Sequence, residues 1–402
     1  MNKTLSFVAG LLAIALGLAG DAWADKAHKH TYQYVSLDAA VPKGFDFFEP
    51  RSITDSGRVY GTLFQCGPDT CSPFVAVYRR GEISALHDES LALTANNRGT
   101  VGGFVVLDPA LGTSQAALFT RSEVELIPPL TDEFTAAVGL LTNSGIAFVT
   151  SLDSNFNVLS HYLTRRGHVT PLNFGPDFAG QFDINNRGII SGTSFRRDGN
   201  RAFRYDPSSG SFTVLDPLPT EPDSWGQAIN NRGHVLGYSF VAGGLERIGV
   251  WRGTEFRTYF VEGTDEFPTV SNRLLWNKRG LIVITDTTDL NSYLVPRPGV
   301  RLNLADLTEG PIPVWTLILD INNRGDLIGI GGAEQGFFDS AFLLRRVGRV
   351  ADSVAASSAE SEVVAAGARV RHAPALERIL HERLYGGLGK NRTAKSADLT
   401  GE

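Results

Sequence analysis

The stretch Ile184-Asn185-Asn186-Arg187-Gly188, "INNRG", decides the fold, because the chain writes it again at 229–233 and 321–325. Related turns end at Gly57 ("ITDSG"), Gly99 ("ANNRG"), Gly145 ("LTNSG") and Gly280 ("WNKRG"). Successive closing glycines are 42, 46, 43, 45, 47 and 45 residues apart. Self-similarity at a near-constant period marks a repeat architecture, in which each copy is one supersecondary unit.

Each letter of the turn has a mechanical reason. Three residues before the glycine stand Thr54, Asn96, Thr142, Asn185, Asn230, Asn277 and Asn322. Asn and Thr side chains bond to the backbone two residues on and so start a type I turn. The closing glycine then takes the left-handed conformation of a bulged hairpin, where a side chain would cost roughly 1–2 kcal/mol. Four residues later a second glycine recurs (Gly61, Gly103, Gly192, Gly237, Gly329), replaced by Val149 and Ile284 in two copies. A glycine inside a strand pattern predicts close backbone approach.

Apolar strands follow in every copy, such as "VAVYRR", "AALFTR" and "AFLLRR", then a tight turn and another strand such as "EVELI" or "SFTVL". Four short strands per period of about 45 residues is the measure of a propeller blade. The expected fold is therefore all-β: a seven-bladed β-propeller of four-stranded antiparallel blades over 31–350. "TYQYVSLD" (31–38) reads as an orphan fourth strand that completes the last copy and closes the ring. Closure leaves no long sheet edge exposed. An open β-solenoid, or six or eight blades, are the alternatives.

The pattern resembles the HAF-type bacterial extracellular repeat family, whose units pair an "INNxGxxxG" hairpin with a later "HAF" strand. The resemblance covers nearly all of 32–350. The His slot departs from it, holding Phe74, Gln115, Ser160, Arg201, Arg247, Asn291 and Ser340. The resemblance implies an exported repeat protein and no defined reaction.

Segment 1–24 reads as a secretory signal peptide: Lys3, an apolar run from about Leu5 to Leu18, and Ala22-Trp23-Ala24 before Asp25. The run is too short for a membrane span and is followed by a processing site. A secreted or periplasmic monomer is expected. A net charge of −6 and a pI near 5.8 argue against a nucleic-acid binder. Cys66 and Cys71 are the only cysteines and are expected to close a hairpin as a disulfide in an oxidising compartment. The region 351–402 reads as a low-complexity linker (351–368) and a tail. Within the tail, 375–385 is an amphipathic helix pattern with Leu376, Ile379, Leu380 and Leu384 on one face and Arg378 and Arg383 among them.

Two surfaces are candidates for chemistry. Arg98, Arg187, Arg232, Arg279 and Arg324 share one turn slot and could attract an anion, although a solvated turn also tolerates Arg. The long inter-repeat loops combine carboxylates with aromatic rings. The expected ligand site there comprises Glu89, Asp132, Asp177, Asp223, Trp225, Asp265, Glu266, Glu309 and Trp315. Such residues hold carbohydrate, cationic groups or a protein surface. No Ca²⁺-loop spacing and no HExxH, G-x-S-x-G or P-loop motif occurs, so no cofactor, metal or catalytic residue is assigned. The leading reading is a non-enzymatic binding scaffold. The alternative is a glycoside hydrolase or lyase acting on extracellular polysaccharide through paired carboxylates.

Overall fold

The computed structural model describes residues 31–68, 70–108, 111–130, 133–155, 157–172, 174, 183–241, 246–262, 273–286, 291–333 and 339–348. Residues 1–24, expected to be a signal peptide, and the tail 351–402 lie outside these residues. Among the described residues the chain is all-β, with one three-residue 3₁₀ turn, Asp38–Ala40. No helix among them is long and apolar enough to cross a membrane.

The turn letters act as the sequence predicts. In each copy the residue opening the turn accepts from the amide three residues on, and its own amide donates to the carbonyl four residues on; Gly57 N→Thr54 O and Thr54 N→Arg58 O are one such pair. The closing glycines have φ of 77–88°, so a side chain there would be strained. Asn96 Oδ1 accepts from Arg98 N and Thr100 N, and its counterparts do the same in the later copies.

Each turn joins the first two strands of a four-stranded antiparallel unit. In the first copy these are Phe47–Ile53, Val59–Cys66, Cys71–Arg79 and Glu82–His87, bonded in that order. Four copies form separate four-stranded sheets. The second and third are fused by a parallel bridge between Ser114 and Thr135, a departure from the expected isolation of each unit. In the seventh, Trp315–Ile321, Leu327–Gly332 and Ser340–Arg346 are completed by Tyr32–Ser36, which runs antiparallel to Ser340–Arg346. The N-terminal strand thus stands where a fourth strand was expected.

The second glycine has the foreseen cause. A Cβ on Gly103 or Gly237 would collide with the carbonyl oxygen of Leu91 or Trp225 in the first strand. In both copies that strand carries a β-bulge just beyond the contact. The sixth copy has no such bulge and carries Ile284 at this slot, whereas the third keeps the bulge with Val149 there, so the bulge alone does not demand glycine.

Buried apolar residues fall into seven clusters among the described residues, each between neighbouring units. One joins Val59 and Leu63 of the first copy to Leu317, Ile328 and Leu343 of the seventh. First strands also touch in serial order, and Phe47–Ile53 touches Trp315–Ile321.

The turns are tied to one another as well. The residue two before each glycine offers its amide to the side-chain oxygen at the same slot of the next copy. Asp55 N reaches Asn97 Oδ1 (2.6 Å), Asn97 N reaches Asn143 (2.7 Å), Asn143 N reaches Asn186 (2.9 Å) and Asn186 N reaches Asn231 (3.1 Å). Lys278 N then reaches Asn323 (2.9 Å), and Asn323 N reaches Asp55 Oδ1 (2.8 Å). The link from Asn231 to the sixth copy is missing because Lys278 fills the slot, and an ammonium group cannot accept.

Two buried groups give the fold opposing pH responses. His161 lies against Phe148 and Phe174 with Nδ1 2.9 Å from Thr150 Oγ1, and burial lowers its pKa to about 4. Its contribution is complete above the unfolded value of about 6.5 and is lost as pH falls through 4. Burial raises Asp183 to about 6, against the bonds it accepts from Ile229 N and Ile184 N. That contribution is complete below about 4 and is lost as pH rises through 6. Each is worth on the order of 3 kcal/mol and they largely cancel between pH 4 and 6. Burial raises Asp320 as well, on the side of Asp183, so His161→Phe, which removes an opposing group, is expected to make the melting temperature fall more steeply than the parent's as pH rises from 4 to 6. Parallel profiles would refute this.

Candidate binding face

First strands run toward the asparagine turns, so the inter-unit loops and the hairpins between second and third strands share the opposite end of the sheets. The Cys66–Cys71 disulfide closes one of these hairpins, as expected. Asp46 Oδ2 accepts from Cys66 N at 2.6 Å, and Phe47 stacks on Phe64 beside it (4.5 Å between centroids).

Of the expected ligand residues, Asp223 and Trp225 come together. Both sit on Asp223–Ile229, the first strand of the fifth unit. Asp223 Oδ1 accepts from Asn200 N at 2.7 Å, which ties this strand to the fourth unit. Trp225 is half-buried between Phe195 and Phe240, each 6.1 Å away and edge-on. Its indole N–H is buried with no hydrogen-bond acceptor. Glu221, just before the strand, is buried, pairs with Arg247 and accepts from Ser239 Oγ. Arg247 occupies the His slot of the repeat pattern, so here that slot anchors a loop carboxylate.

The other expected residues are dispersed. Glu89 is exposed with φ 47°, and its carbonyl accepts from Val106 N. Glu309 is exposed beside the N-terminal strand, opposite Gln33. Trp315 is half-buried at the start of its strand, opposite Gly332. Asp132, Asp177, Asp265 and Glu266 lie outside the described residues.

Two features escaped the sequence reading, the first of them at this end. The first is apolar. Phe195 (50% exposed), Val314 (70%) and Leu111 (64%) stand open to solvent here, together with Phe47, Leu107, Val158, Leu159 and Val241. The signal was present: apolar residues beside hairpin turns, where a strand has left the core. A large exposed apolar patch marks an interaction surface more often than not.

The second is a polar group on the first strands. Arg51 pairs with Glu49 (2.8 Å), and Arg273 donates to Leu319 O (2.9 Å). Arg273 is solvent-accessible, and the protein packed around it lowers its pKa. Asp183 and Asp320 precede "INN" in their copies, and that shared "DINNRG" was the legible signal. Asp320 Oδ2 accepts from Ile53 N (2.8 Å) and Ser52 Oγ (2.9 Å) of the first unit. Asp183 Oδ2 accepts from Ile229 N (2.7 Å) of the fifth. Burial raises both carboxyls. Their oxygens hold neighbouring strands, which makes them braces rather than a paired acid and base. Among the described residues, no three His, Cys, Asp or Glu side chains converge to hold a metal ion.

No family model matches the chain, and no curated protein matches it. Solved structures similar to it include virginiamycin B lyase from Staphylococcus aureus, at 9% identity over 79% of this chain and 100% of that one, TM-score 0.47. YCF48 bound to D1 peptide is similar at 12% identity over 79% and 97%, TM-score 0.46. The β-propeller domain of the Trilobed protease from Pyrococcus furiosus is similar at 12% identity over 65% and 81%, TM-score 0.39.

Proposed function

We propose that the units are the blades of one closed, seven-bladed β-propeller, exported from the cell, which captures an extracellular protein on its inter-blade loop face. Support for the ring is the return of the turn ladder from Asn323 to Asp55 and the apolar cluster between the seventh and first units. The observation that carries the function is that eight exposed apolar side chains lie at one end of the sheets, where Phe195 of the fourth unit meets Trp225 of the fifth. Exposed aliphatic residues favour a protein over a glycan, because they neither stack on a sugar ring nor bond its hydroxyls. Trp225, half-buried between Phe195 and Phe240, is the natural central anchor, and Asp223 supplies a polar rim. The resemblance to HAF-type repeats agrees with export and with a role that needs no reaction.

Phe195→Asp, Leu111→Asp and Val314→Asp together should leave the melting temperature within a few degrees of the parent, since surface changes rarely exceed about 0.5 kcal/mol each. The same change should remove, by at least about tenfold, proteins that the mature chain retains from the producing cells' extracellular fraction. Unchanged retention would refute the loop face as the binding surface. Retention of labelled glycans instead would move the reading to carbohydrate.

A further inference from the structure

The opposite end of the sheets carries a second surface, and we propose that it docks flat on an anionic lipid bilayer. Hydrogen bonds between successive asparagine turns place those turns side by side, independently of what the loop face binds. Each of five turns presents an exposed arginine: Arg98, Arg187, Arg232, Arg279 and Arg324. The turns between third and fourth strands reach the same end and add exposed Arg79, Arg80, Arg165, Arg166, Arg252 and Arg345. Two contacts fix this proximity: Arg204 Nη1 donates to Gly233 O (3.3 Å), and Arg346 Nη1 donates to Arg324 O (3.2 Å).

Acids at this end do not balance the cations. Asp55 is engaged by Asn97 and Asn323, and buried Asp326 by Arg324 and Asn322. Asp206 accepts from Ser208. Exposed Glu82, Glu123, Glu125, Glu255 and Glu309 remain, Glu255 paired with Arg257, and the exposed arginines named above outnumber them. The crowding of cations is felt at His234, whose pKa is lowered by burial and then by Arg252, Arg232 and Arg204. A face this basic opposes the sign of the whole chain, whose net charge is −6, so a tolerant turn slot alone does not account for it.

The breadth of the patch selects the partner. The cations spread across one end of the sheets instead of following a groove. Trp276 is the sole aromatic residue of the asparagine turns, and it is half-buried, which leaves little for base stacking. The described chain also ends here: Gly348 N donates to Thr31 O beside Arg346. The sequence beyond carries the basic amphipathic pattern 375–385. Each arginine that such a face brings to an anionic membrane surface contributes about 1 kcal/mol of attraction.

The test is co-sedimentation of the mature full-length chain with large vesicles of phosphatidylcholine alone or with added phosphatidylglycerol. Among the described residues the side chains of Arg98, Arg232 and Arg279 make no hydrogen bond or ion pair, so their joint change to Glu should leave the fold intact by circular dichroism. Binding is expected only with phosphatidylglycerol, to weaken with salt, and to fall about a hundred-fold or more in the triple variant. Arg197→Glu, the same charge change at a hairpin on the opposite end, should bind as the parent does. The inference is overturned by equal binding to neutral vesicles, by no binding to either, or by a triple variant that binds like the parent. Capture of duplex DNA in place of vesicles would overturn it too.

Discussion

Deleting residues 31–38 from the mature chain should abolish cooperative thermal unfolding near physiological temperature. Tyr32–Ser36 pairs residue for residue with Ser340–Arg346, from Tyr32 opposite Arg346 to Ser36 opposite Phe342. Thr31 and Tyr32 donate their amides to Leu307 O, and Val347 N returns a bond to Thr31 O. Asp38 accepts from Ala341 N. Tyr32 and Leu37 are fully buried; each is worth about 2–3 kcal/mol of transfer free energy, before the cavity it would leave. With the ladder, the loss approaches the 5–15 kcal/mol that holds a typical protein folded. The deletion also bares the edge of Ser340–Arg346, an invitation to aggregation. Circular dichroism melts of the two forms decide the matter. A truncated chain that melts like the parent would separate the N-terminal strand from the fold and remove its role in joining first and last units.

The strand's place was legible because a propeller repeat needs four strands and the seventh copy is short of one, while 31–38 has none of its own. The turn was legible for a local reason: Asn at its opening serves amides two and four residues away, within the quoted letters. The ladder between turns was not, since its partners are 42–46 residues apart. Yet Asp55, Asn97, Asn143, Asn186, Asn231 and Asn323 recur at one slot, and Lys278 is the exception. That recurrence was the available sign. The loop face was less legible because loop composition reports solubility, whereas which loops converge depends on the order of units in space. Asp223 and Trp225 were brought together by lying two residues apart on one strand; Phe195 joined them from another unit.

The second prediction compares three positions around the ladder. Asn322 is buried and makes four hydrogen bonds: from Nδ2 to Thr54 O (2.9 Å) and Asp326 Oδ2 (2.8 Å), and to Oδ1 from Arg324 N and Asp326 N (both 2.9 Å). Asn322→Ala leaves buried donors and acceptors unpaired and should cost about 3–5 kcal/mol. Asn230 serves only its own turn, accepting from Arg232 N and His234 N (2.9 and 3.0 Å), so Asn230→Ala should cost about 1–2 kcal/mol. Lys278→Asn supplies the missing acceptor for Asn231 N and should stabilise by about 0.5–1.5 kcal/mol. Urea unfolding at neutral pH measures all three. The ordering matters more than the sizes, because turn propensity alone makes Asn322 and Asn230 equivalent, and the Nδ2 bonds of Asn322 to Thr54 O and Asp326 Oδ2 separate them. Equal losses at 322 and 230, with no gain at 278, would mean that the bonds between turns follow from packing and contribute nothing to it.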